Sequence, residues 1–144
     1  MNKPYPLLST LLAATLVAAG LGSSSALAQD TPAPAAAAPE LRYANKWRLE
    51  VSEGANNDGV MHFRVTPKDG TPVDINVALK DGRGEDGCAR DIRDAFRAAL
   101  DKDTYKIEID DGEDVLVKKR KGPDFSVELV ESTVKGTRVN LDRE

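Results

Sequence analysis

Reactive side chains are scarce in this chain. Its 144 residues hold one Cys, one His and one Trp, and aromatics make up 5%. A single thiol cannot close an internal disulfide, so the fold does not depend on one. One Cys and one His also fall short of a zinc set. The apolar run from Leu7 to Gly22 is too short, and too diluted by Ala, Ser and Gly, for a membrane span of about 20 strongly apolar residues. An excess of positive charge is missing as well: 20 basic residues face 24 acidic ones, a net charge of −4. That balance argues against nucleic acid as a main partner and against a general attraction to anionic lipid.

What is present begins with an address. Lys3 supplies a short positive region, the apolar run follows, and Ser23-Ser24-Ser25-Ala26-Leu27-Ala28 ends in small residues. Ala26-x-Ala28 fits the pocket of a signal peptidase, so residues 1–28 read as a cleaved signal peptide and the expected location is periplasmic or secreted. No Cys adjoins the cut, which removes a lipid anchor on a new N-terminal Cys. Lys3 is the single charged residue of that leader, so its loss shifts the net charge from −4 to −5. Residues 29–40 form a Pro/Ala-rich linker, kept extended by Pro32, Pro34 and Pro39. Residues 41–144 are the size of a single domain with one core.

That domain reads as α+β. Trp47, Leu49 and Val51 alternate with Arg48, Glu50 and Ser52, the two-residue period of a strand. Asn56-Asn57-Asp58-Gly59 reads as a hairpin turn, followed by Met61, Phe63 and Val65. Pro67-Lys68-Asp69-Gly70 is a further turn, and Val73, Ile75, Val77 and Leu79 make a third strand. The period then changes to 3.6: Cys88, Ile92, Ala95, Phe96, Ala99 and Leu100 form one helical stripe, with Asp86 as the expected N-cap. Strands resume at Tyr105–Asp110, Val115–Lys119 and Phe125–Leu129, and a last short one runs from Arg138 to Leu141. The expected architecture is an antiparallel sheet of about six strands in βββ-α-βββ order, with the helix across its apolar face. Trp47 to Gly54 parallels Tyr105 to Gly112, which suggests a duplicated unit, although alternation by itself produces most of that match. One helix is narrow for six strands, so the expectation includes strong curvature or a homodimer through the uncovered part.

Candidate chemistry is thin. Cys88 near a helix start and His62 are the only enzyme-like pair, yet Cys88 sits mid-stripe and His62 alternates onto the opposite side of the sheet. A buried thiol and a solvated imidazole are therefore expected, with no catalytic set. Asp110, Asp111, Glu113 and Asp114 crowd one turn and Asp81, Glu85 and Asp86 another, but neither has the spacing of a calcium loop. Asp81 to Gly87 likewise lacks the spacing of a phosphate loop. No metal, cofactor or cofactor-binding residue is expected.

Two basic groups remain as candidate partner-binding residues: Arg90, Arg93 and Arg97 on one helix face, and the run Lys118, Lys119, Arg120 and Lys121. The bland account makes the first a face salt-bridged to Asp94 and Asp101, and the second a charged edge strand that resists aggregation. The functional expectation is an exported, non-enzymatic module that binds a protein or envelope component. The alternatives are a small enzyme or redox-linked protein using Cys88, and a structural subunit that assembles through the Lys118–Lys121 edge.

Overall fold

The computed structural model describes residues 40–144; the signal-peptide reading and almost all of the linker reading lie outside the described residues. The elements are β1 (Lys46–Ser52), β2 (Gly59–Pro67), β3 (Val73–Leu79), α1 (Glu85–Ala99), β4 (Tyr105–Asp110), β5 (Asp114–Lys119), β6 (Phe125–Ser132) and β7 (Arg138–Arg143). The α+β class, the antiparallel pairing and the helix after three strands agree with the sequence pattern. Strand number and layering differ: seven strands form two sheets, ordered β4-β5-β1-β7 and β3-β2-β6.

The reason lies in the apolar faces. A single six-stranded sheet would leave most of one face bare beneath one helix. Two smaller sheets bury their faces against each other and share one core. Leu49, Val51, Val115 and Val117 from the first sheet join Met61, Phe63, Val65, Val77 and Phe125 from the second, all at most 2% exposed. Tyr105 and Phe125 meet edge to face across the sheets, with ring centroids 5.1 Å apart. Helix α1 packs mainly on β3 and β4, the edge strands of the two sheets, and so covers the gap between them. Cys88, Ala89, Ile92 and Phe96 form its buried stripe, and Phe96 meets Phe63 edge to face at 5.3 Å.

Residues 53–58 are not a hairpin turn. β1 and β2 belong to different sheets, and none of Asn56, Asn57 or Asp58 takes a positive φ. Their polar groups instead tie three loops together. The Asn56 N–H donates to the Lys135 carbonyl at 2.8 Å, and the Asn57 side chain accepts from the Lys135 N–H. Asp58 accepts from the Asp81 N–H at 2.9 Å. Gly136 (φ +90°) closes this knot, where a Cβ would stand 2.5 Å from the Gly54 carbonyl. The helix N-cap is Gly84 rather than Asp86, which falls in the first turn beside Glu85; there both acids favour the positive end of the helix dipole.

The internal parallel does not extend to topology. β1 and β4 both flank β5, but Trp47 and Ile107 share Val117 as partner, so the two aromatics are out of register. β2 and β3 form a hairpin within one sheet, whereas β5 and β6 are split between the two. β5, which carries Lys118 and Lys119, is an interior strand paired on both sides, not the edge expected for it.

Candidate functional site

Opposite the helix, the sheets part between β6 and β7. Phe125 exchanges both backbone hydrogen bonds with Ala44 at 3.0 Å, so the odd residues of β6 from Phe125 to Leu129, before the register shift opposite His62 and Phe63, turn their peptide groups toward this seam. Val127, two residues on, faces the same way and has no backbone partner there among the described residues. On β7 the Glu144 N–H donates to the Lys46 carbonyl, and the pairing continues through Arg48↔Asp142 and Glu50↔Asn140. Leu141 and Arg143 therefore present their backbone groups outward. Val127, Leu141 and Arg143 all line one groove of about 610 Å³ between the two strands. Trp47 forms part of its wall and donates its indole N–H to the Phe125 carbonyl at 2.8 Å. Its charged walls are mixed, Arg42 and Arg143 against Glu40, Glu128 and Asp142.

Four of the seven basic candidates are held by carboxylates. Arg90 pairs with Asp86, Arg93 with Asp94, Lys118 with Glu108 and Lys119 with Asp124. Arg97 pairs with neither Asp94 nor Asp101, contrary to the expected helix face; its Nε and Nη2 both donate to the Ile107 carbonyl, at 3.0 and 2.7 Å. Asp101 lies beyond the helix and accepts from Thr104 at 2.6 Å. Arg97 and Arg120 nevertheless come together, lining a second cavity of about 300 Å³ with Lys102 and Lys106. Lys121 is not among its walls.

The outer face of the four-stranded sheet is an ion-pair network. Arg48 donates to Glu144, Asp114 and Asp110, which together raise its pKa, and Lys46 also pairs with Glu144. Lys106 and Lys118 hold the Glu108 carboxyl down to about 2. Two of the clustered acids read from the sequence are therefore spent on Arg48. Among the described residues, no three metal-ligating side chains gather into one site. Cys88 is fully buried, its Sγ 3.5 Å from the Arg83 carbonyl and 3.8 Å from Thr137 Oγ1. His62 pairs with Asp74, whose carboxyl is held below its usual range by Arg64 and His62.

Sequence reasoning missed the seam and the partners of Arg97. Lys102 sits in a turn and Lys106 reads as an ordinary solvated strand position, so neither gave a signal. Val127 and Leu141 read as core or strand residues; which strand lacks a neighbour is set by pairing between distant segments. No protein-family model matches this chain, and no curated protein matches it in sequence.

Proposed function

We propose that this chain is an exported, non-enzymatic interaction module of the periplasm or cell envelope that captures an extended segment of a partner protein by strand addition. One observation carries the reading: two sheet edges face each other across a groove, and both turn toward it backbone groups that have no partner among the described residues. An extended peptide there gains main-chain hydrogen bonds from Val127 on one side and from Leu141 and Arg143 on the other. Natural proteins protect open edges of this kind unless they use them. The complete burial of Cys88 supports a packing role for it rather than a nucleophilic one.

The test exploits the alternation along β7. Arg143→Pro deletes an N–H that faces the seam and leaves the bonds to β1 in place, whereas Arg143→Ala removes only the side chain. Chain recovered from the exported fraction is immobilised and exposed to an envelope extract. Wild type and Arg143→Ala should retain the same partner at raised salt, and Arg143→Pro should lose it. Equal retention by the proline variant, or no specific partner at any salt, refutes strand capture. Failure to recover the chain outside the cytoplasm refutes the exported location.

A further inference from the structure

The four-stranded sheet has a second free edge, at β4, and its chemistry differs from that of the seam. β4 bonds to β5 through its even residues: the Arg120 N–H donates to the Thr104 carbonyl at 2.8 Å, and the pairing continues through Lys106↔Lys118 and Glu108↔Leu116. The odd residues therefore turn their peptide groups toward the helix side. The Tyr105 N–H is met there by the Asp101 carbonyl at 2.9 Å, and the Ile107 carbonyl by Arg97. The Ile107 N–H points the same way as its carbonyl and has no protein acceptor among the described residues.

Ile107 lines the 300 Å³ cavity, and Leu100 and Tyr105 give its floor an apolar part. Arg97, Lys102, Lys106 and Arg120 surround it, against the single carboxylate of Glu108. Glu108 is already engaged by Lys106 and Lys118. Arg97 spends two of its five N–H groups on Ile107 and keeps three. Lys102 and Arg120 have no carboxylate within 4.0 Å among the described residues. The cavity's charged lining is thus four cations against one engaged carboxylate, in a chain whose net charge is −4.

We propose that this cavity binds a small fatty carboxylate, its head met by the free N–H groups of Arg97 and Ile107 and its tail laid on Leu100 and Tyr105. Lys102 and Arg120 supply the field that draws the anion in. The size sets the class: 300 Å³ is at the lower end for a small-molecule site, which suits a short chain and not a long lipid. The carboxylate head follows from the charge, and the apolar tail from the floor. The site stands independently of strand capture at the opposite edge.

The experiment titrates octanoate into ¹⁵N-labelled protein, with 1-octanol and inorganic phosphate as comparison probes. Octanoate should move the Ile107 amide resonance saturably, while each comparison probe should bind at least about tenfold more weakly. Lys102→Gln combined with Arg120→Gln should weaken octanoate by about fivefold, the size expected for two exposed charge pairs. Both side chains are exposed, so the variant should keep the wild-type spectrum elsewhere. An Ile107 amide that octanoate leaves unmoved overturns the proposal. So does equal binding of 1-octanol, which would make the site merely apolar, or equal binding of phosphate, which would make it an anion site with no use for a tail. An unchanged affinity in the double variant overturns it as well.

Discussion

The two gaps between the sheets are closed by different means. Between β3 and β4 lies a 15-residue helix that inserts Cys88, Ala89, Ile92 and Phe96 into the core. On the β6–β7 side, among the described residues, β6 is tied by one reciprocal backbone bridge, Ala44 to Phe125, and one indole hydrogen bond from Trp47 of β1. The helical side is closed by area, and apolar burial at about 25 cal/mol per Å² is hard to reverse locally. The seam, apart from the apolar cover that Trp47, Phe125 and Val127 supply, is closed by directional bonds, each contributing about 1 kcal/mol net, which an incoming strand can replace with its own. A fold of this kind concentrates stability on one side and exchangeable contacts on the other.

The largest effect should come from the helical side. Phe96→Ala removes a fully buried ring and its contact with Phe63, and should cost about 3–5 kcal/mol in urea unfolding. Trp47→Phe keeps an aromatic ring but deletes the N–H given to Phe125, and should cost about 1–2 kcal/mol. It should also speed amide exchange at Ala44 and Phe125 while leaving the β2–β3 amides unchanged. If Trp47→Phe were as damaging as Phe96→Ala, the seam would be a structural wall and the contrast would fail.

The smallest effect lies on the outer face and depends on pH. Glu108 is held ionised down to about 2 by Lys106 and Lys118, against an ordinary value of 4.5. A depressed carboxyl contributes stability that is complete above 4.5, and it is lost as pH falls from there through about 2. Carboxyl ¹³C titration should find the low midpoint, and Lys106→Met should raise it toward 4.5. A Glu108 midpoint near 4.5 in the wild type would show that these pairs contribute nothing to folding.

Periodicity made much of the fold legible. Trp47, Leu49 and Val51, or Ile75, Val77 and Leu79, announce a buried strand face because side chains alternate every residue. Cys88, Ile92 and Phe96 announce a helix because they recur each turn. The hairpin reading at Asn56–Gly59 failed because Asn and Asp serve two purposes: they tolerate positive φ, and their side chains bond to other backbones. Here they bind the loops at Lys135 and Asp81. The edge reading of Lys118 and Lys119 failed because a lysine-rich strand looks the same whether or not it has neighbours on both sides.

The sequence by itself determined which residues are apolar, their spacing, and hence the number of faces that needed cover; those are local properties of side chains and backbone. Only the tertiary structure decided how the faces were covered. Pairing β1 with β5 and β7 rather than with β2 split the strands into two sheets, and that split left β6 and β7 as facing edges not paired to each other. Strand pairing is a choice among distant segments with similar alternation, and nothing in a segment's own composition names its neighbour. For the same reason Arg97 and Arg120, 23 residues apart in the chain, could be seen to share a cavity only once β4 lay beside the end of the helix.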